Sequence, residues 1–159
     1  DVIVDLVTTS AGLAAMEIGE QKNKITLNSG SASLDLTRSK CTANNVHWVY
    51  DTYMVAKSTG TATVKAGGKK WYFVYPNYAF GEALHRDTSR FVVEAGGTVT
   101  GSESYPFPET TDFSSALIKA KAYKPDVLLN NMGGSAQINC MKQFVQFGMT
   151  KDMALGGAL

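Results

Sequence analysis

Features that mark a specialised chemistry are scarce in this sequence. Its 159 residues hold only two cysteines, Cys41 and Cys140, and two histidines, His47 and His85, none in metal-ligand spacing. A disulfide framework and a zinc motif are thereby excluded, while one bridge, two free thiols or pairing outside the chain all fit the count. Charge of one sign is also missing: 15 Lys and Arg stand against 14 Asp and Glu, for a net charge of +1, and no basic run exceeds Lys69-Lys70. A phosphate-backbone footprint is absent, so nucleic acid is not an expected partner. No apolar run approaches the ~20 residues that cross a bilayer, and Asp1–Val7 has neither the basic flank nor the cleavage site of a signal peptide. No Gly-x-Ser-x-Gly, His-Glu-x-x-His, Walker-type loop or Gly-x-Gly-x-x-Gly follows any apolar run. The chain therefore carries no enzyme signature, no catalytic residue is assigned, and neither a metal nor a resident cofactor is expected.

What is present is the mixture of an ordinary globular chain, with 44% of residues from the AVILMFWYC set and 18% charged. Short apolar runs at Val2–Val7, Ile25–Asn28, Trp71–Tyr75, Val127–Asn130 and Met153–Leu155 read as strands buried on both faces. Helical spacing lies between them. Over Ala79–Ala95 the residues Phe80, Ala83, Leu84, Phe91 and Val92 form one face, and Gly96-Gly97 supplies the stop. Phe113, Ala116, Leu117 and Ala120 repeat the pattern behind Asp112, a candidate N-cap, and Ile138, Met141 and Val145 do so before Gly148. A weaker helix, rich in small residues, runs over Tyr53–Ala66. Strand–helix–strand order with short connections predicts an α/β fold with doubly wound parallel sheets, because parallel strands need crossovers. Gly67-Gly68 marks a boundary, dividing the chain into residues 1–67 and 68–159. The chain starts within an apolar run and stops at Gly156–Leu159, so an internal fragment of a longer protein is expected, one that exposes core surface and does not fold stably alone.

Ligands of open α/β sheets bind at the C-terminal edge of the strands. Four segments fall there. Thr8-Thr9-Ser10 hands a strand to a helix, where free amides and hydroxyls suit a carboxylate or phosphate, or serve as a plain N-cap. Ser29–Ser33 opens a long connection with hydroxyls and a glycine, which also fits an ordinary polar loop. Pro76–Gly81 offers Tyr78 and Phe80 as an aromatic wall, although Phe80 also fits the core stripe of its helix. Asn130–Ser135 is a fourth exit with paired glycines. By contrast His85 is expected on a solvated helix face, His47 in a structural role and Cys140 as inert core.

Four blocks, Asp1–Ala15, Asn28–Thr37, Tyr75–Leu84 and Thr111–Leu117, resemble in order and spacing the substrate-binding proteins of branched-chain amino acid (Leu/Ile/Val-type) ABC transporters. The resemblance covers essentially the whole chain. It implies a type I periplasmic-binding-protein fold: two α/β lobes joined by a hinge, both incomplete here, with residues 1–67 in the first lobe and 68–159 in the second. It places the carboxylate-holding hydroxyls on Thr9 and Ser10 and a second ligand segment on Ser31, Ala32 and Ser33. An aromatic position of the second lobe falls on Phe80, with Tyr78 nearby, and Tyr53 and Met132 complete the candidate ligand set. Two departures stand out. Ala32 occupies a position where amino-acid binders carry Thr, leaving Ser31 or Ser33 to substitute, and no acid lies near Gly134–Ala136 to pair with an α-ammonium. A buried ammonium without a counter-charge costs several kcal/mol, roughly. The expected ligand is therefore a small carboxylate, an aromatic, keto or other organic acid in preference to an amino acid. The resemblance further implies a monomeric, periplasmic protein, closure around its ligand without chemistry, and delivery to an ABC permease in the membrane. A sensor domain of the same fold and an α/β enzyme binding a nucleotide at Thr8–Ser10 are the alternatives.

Overall fold

The computed structural model describes residues 1–131 and 133–157. In chain order they form β1 (Val2–Val4), α1 (Thr9–Gln21), β2 (Ile25–Asn28), β3 (Asn45–His47), α2 (Thr52–Lys65), β4 (Lys70–Pro76), α3 (Ala79–Glu94), β5 (Thr98–Tyr105), α4 (Ser114–Tyr123), β6 (Val127–Asn130), α5 (Gly134–Gln146) and β7 (Ala154–Gly157). Single 3-10 turns follow β2, at Leu34–Thr37, and α5, at Met149–Lys151. Every strand pairing is parallel, in two sheets ordered β1-β2-β3 and β5-β4-β6-β7. This is the α/β class expected from the alternation of strands and helices.

The second sheet is buried on both faces, and the two-residue period of its strands shows how. Trp71 and Phe73 of β4 and Val127 and Leu129 of β6 join Ala56 and Val64 of α2 and Leu84, Phe91 and Val92 of α3 in one apolar cluster. Their neighbours Tyr72, Val74 and Leu128 point the other way, into a cluster with Ala116, Leu117 and Ala120 of α4 and Cys140 and Phe144 of α5. The first sheet is clothed on one face only. Thr26 and Asn28 of β2 and Met16 of α1 are buried, whereas Val2, Val4, Ile25, Leu27 and Val46 share the opposite face and stay exposed. The register sets them side by side, Val2 against Ile25 and Val4 against Leu27 against Val46.

Helix α2 belongs by its packing with α3. Its buried face is Thr52, Ala56, Gly60 and Val64, and a side chain at Gly60 would stand within 3.6 Å of Phe91 and Val92. The small residues that weaken this helix by propensity are thus what let it lie close to α3. Gly67-Gly68 connects α2 to β4, a strand of the sheet that α2 covers.

Several expectations need correction. The first strand ends at Val4, because Asp5 turns the chain out of the sheet with a left-handed φ of 59°. Strand β5 escapes a reading based on apolar runs, since it is an edge strand whose only large apolar residues are Val99 and Tyr105. His85 is not solvated: it is half-buried, stacked on Tyr75 at 4.3 Å and edge-on to Phe73 at 4.9 Å. Gly96 closes the end of α3 with a φ of 86°, as expected, whereas the N-cap of α4 is Phe113, not Asp112, which instead accepts the Ser114 hydroxyl at 2.6 Å and the Ser114 amide at 2.9 Å. Those bonds hold the Asp112 carboxyl below its ordinary range. Both cysteines are free thiols, and burial pushes that of Cys140 up to about 12.

Two predictions follow from this packing. Leu128 is fully buried between β4 and the α4–α5 layer, so Leu128→Ala is expected to cost about 2–5 kcal/mol in urea unfolding, with an unchanged slope. Burial lowers the pKa of His85, so the unfolded chain takes up a proton there before the folded one does. Stability supplied by the neutral ring is complete above about pH 6.5 and is lost as pH falls toward the lowered folded value. Melting temperatures from about pH 8 to 5 are expected to fall more steeply for the natural protein than for His85→Phe, which keeps the stack on Tyr75 but does not titrate.

Candidate functional site

The C-terminal ends of β1, β2, β4 and β6 meet around a cavity of about 330 Å³. Val7, Thr8 and Thr9 reach it from the start of α1, Gly30 and Ala32 from the connection after β2, and Pro76, Tyr78 and Phe80 from the start of α3. Gly133 and Gly134 enter from the start of α5, with Tyr50 and Phe107 closing the sides. Residues of both sheets therefore share one pocket. Gly30 is required by close approach, since a Cβ there would lie 2.8 Å from Val7 Cα and 3.0 Å from the Leu6 carbonyl oxygen.

Three helices begin at this pocket, and among the described residues none of them has a side-chain cap from its N-cap residue. Thr8, Tyr78 and Gly133 are the N-cap residues of α1, α3 and α5, and no side chain of theirs accepts a first-turn amide. Elsewhere Asp51 accepts the Met54 amide at the head of α2 and Ser33 accepts that of Asp35, while Phe113 at the head of α4 makes no such cap. Each helix N-terminus carries roughly half a positive charge, so three directed at one cavity together carry about one and a half, enough to offset one anionic charge. None of the described residues lining the cavity bears a charged side chain. Thr9, 1% exposed, is part of the lining, and its buried hydroxyl has no hydrogen-bond partner among the described residues, a costly state for a buried polar atom.

The wall opposite is aromatic. Tyr78 stacks on Phe107 at 5.1 Å with an 18° angle between the rings, and lies 6.1 Å from Phe80. Burial, with Tyr50 nearby, raises the Tyr78 phenol pKa, so it stays protonated at neutral pH. Stacked rings beside uncapped amides make a surface for a flat ligand with one anionic end.

Of the residues singled out in the sequence, Thr9, Ala32, Tyr78 and Phe80 line this cavity. Ser10 is exposed on the first turn of α1 and does not line it. Ser31 and Ser33 do not substitute at Ala32, because both hydroxyls are engaged elsewhere. Ser31 Oγ lies 2.7 Å from the Leu6 carbonyl and 2.9 Å from that of Thr8, and Ser33 caps the 3-10 turn. Tyr53 sits apart on α2, edge-on to Phe91 at 5.2 Å with Lys57 and Arg90 over its ring. Met132 lies outside the described residues. His47 holds the connection in place, its Nε2 donating to the Ser31 carbonyl at 2.7 Å, while the Ser31 amide donates to Asn28 Oδ1 at 3.0 Å.

Pro76, which opens the Pro76–Gly81 segment, also lines the cavity, as do Tyr50 and Phe107, which sequence reasoning does not single out because they follow short or edge strands that leave no periodic signal. A larger hollow of about 550 Å³ on the outer side of α1, lined by Glu17, Glu20, Lys40 and Cys41 among others, lies away from the strand ends. Among the described residues no group of His, Cys, Asp or Glu is placed to hold a metal ion, and no helix is long and apolar enough to cross a membrane.

Known proteins place this geometry in context. The profile of the periplasmic binding protein family matches residues 1–159. A periplasmic binding protein from Burkholderia mallei is 38% identical, with a TM-score of 0.94 over 99% of this chain and 42% of its own. A branched-chain amino acid ABC transporter periplasmic ligand-binding protein from Burkholderia xenovorans is 31% identical, with a TM-score of 0.82 over 99% of this chain and 42% of its own. An ABC transporter solute-binding protein from R. palustris, solved with benzoate, shares the fold at 24% identity and a TM-score of 0.91, covering 99% of this chain and 43% of its own. The chain thus spans about 42% of the length of its structural relatives. No curated protein matches it. With its full length matched, the chain belongs to the periplasmic binding protein family.

Proposed function

We propose that this chain is part of the solute-binding component of an ABC importer, working in the periplasm as a monomer. It captures a small aromatic carboxylate between two lobes and presents it to a membrane permease. The first sheet and its connection form one rim, the second sheet with its helices the other, and the ligand is gathered where both contribute. Because each rim makes only part of the contacts, the closed arrangement collects the full interaction energy and ligand shifts the population toward it. No bond is made or broken in this role.

The observation that carries this reading is the convergence of three uncapped helix N-termini and the unpartnered Thr9 hydroxyl on one neutral, aromatic-walled pocket. A carboxylate finds donors there without a basic side chain. An α-ammonium finds no carboxylate among the described lining residues, so leucine-type ligands are disfavoured by the cost of leaving that charge unpaired. The pocket volume is near the lower end of the ~300–1,000 Å³ range of small-molecule sites, in keeping with a single ring. Benzoate is held by a protein of the same fold, so the architecture accommodates a ligand of this size and charge.

Titration calorimetry of the full-length protein with benzoate, 4-hydroxybenzoate, leucine, NAD and ATP tests the proposal. Saturable binding of the aromatic acids, with leucine and the nucleotides silent, is expected. Tight leucine binding without benzoate binding contradicts the ligand class, and stabilisation by NAD or ATP alone contradicts the importer role. Thr9→Val removes a donor to the carboxylate and is expected to weaken benzoate binding by roughly 10- to 100-fold, the range of a hydrogen bond to a charged group.

A further inference from the structure

Beneath the pocket a polar chain joins the two rims without reaching the ligand space. Ala32, which lines the cavity, is held through its carbonyl by the Thr52 amide at 2.8 Å. Two residues on, the Leu34 amide donates to Thr52 Oγ1 at 3.1 Å, and that hydroxyl donates in turn to Asp87 Oδ2 at 2.6 Å. Thr52 and Asp87 are 1% and 3% exposed. Arg86 completes the set, its Nε 3.1 Å from Asp87 Oδ1 and its Nη1 3.4 Å from Asp35 Oδ2. Asp35 also faces the hydroxyls of Ser33 at 3.3 Å and Ser39 at 3.1 Å.

The chemistry of this chain gives it a direction. A threonine hydroxyl has one proton, and a buried carboxylate is the strongest acceptor within reach, so Asp87 fixes where that proton goes. The oxygen lone pair must then face the Leu34 amide. Asp87 stands in the middle of α3, the helix whose N-cap is Tyr78 and whose first turn carries Phe80. One carboxylate thus ties the backbone of the Ala32 rim to the helix that bears the aromatic wall.

We propose that Thr52 and Asp87 are positioning residues: a buried strut that sets the distance between the Ala32 rim and the Tyr78–Phe80 wall, and through it how long a ligand stays bound. This rests on the pocket described above being the ligand site. Neither residue lines the cavity, and the helix–loop joint they form holds one rim against the other. Cutting the strut leaves the Leu34 amide unpaired and lets the rim drift from the wall.

The test uses the full-length protein, with benzoate as the probe, comparing Thr52→Val with Thr52→Ser. In Thr52→Val, hydrogen exchange over residues 32–35 is expected to speed up at least tenfold. Benzoate dissociation should speed up about tenfold with little change in its association rate. Thr52→Ser, which keeps the hydroxyl, should restore both to within about twofold. A merely structural role would lower the melting temperature of Thr52→Val while leaving the dissociation rate of benzoate unchanged, and that result overturns the proposal, as does unchanged exchange. If exchange responds but the natural protein never saturates with benzoate, the strut is real and the pocket reading fails, so its assigned role in ligand retention fails with it.

Discussion

The direction of the helix dipoles in a parallel sheet is the constraint from which the rest follows. Parallel strands exit at one edge, every helix that returns from that edge points its amino end back at it, and unpaired amides collect there. A helix start can be closed by a side chain, as Asp51 closes α2 here. At α1, α3, α4 and α5 the N-cap residue makes no such closure among the described residues, and the starts of α1, α3 and α5 open onto one hollow. Withholding caps costs about 1 kcal/mol at each helix, an expense that makes physical sense where an anion completes the structure.

The architecture around that hollow is asymmetric in a useful way. On the second sheet, apolar side chains fill both faces, so α3 and the rings at its head stand on a firm base. The rim supplied after β2 has little apolar packing of its own beyond Ala32 and Leu36. Hydrogen bonds hold it instead: Asn28, His47 and Ser31 anchor it to the first sheet, Thr52 and Asp87 to the helices of the second. Such a rim can be displaced as a unit without emptying a core, which is what a site that opens and closes needs.

How much of this was legible in the sequence depends on which force each residue answers to. Strands and helices of the second sheet were readable because burial imposes a period, so Phe80, Leu84 and Phe91 announce α3 and Val127–Asn130 announces β6. Edge strand β5 was not, because an edge exposed to water needs no apolar run. Thr9, Ala32, Tyr78 and Phe80 were placed at the pocket because strand exits in a parallel sheet share one edge. Ser31 and Ser33 looked equivalent to Ala32 by composition, yet alternate residues of an extended segment point in opposite directions. Their hydroxyls went to the protein's own backbone. The stack that buries His85 depends on Tyr75 and Phe73, partners from another element that a helical-face count does not see.

The central claim is that a ligand carboxylate replaces the missing helix caps. A crystal structure of the full-length protein with benzoate bound addresses it directly. The account predicts carboxylate oxygens within hydrogen-bond distance of Thr9 Oγ1 and of first-turn amides, with the ring against Tyr78 and Phe80. A carboxylate turned to solvent, or a ligand seated away from these helix starts, contradicts it.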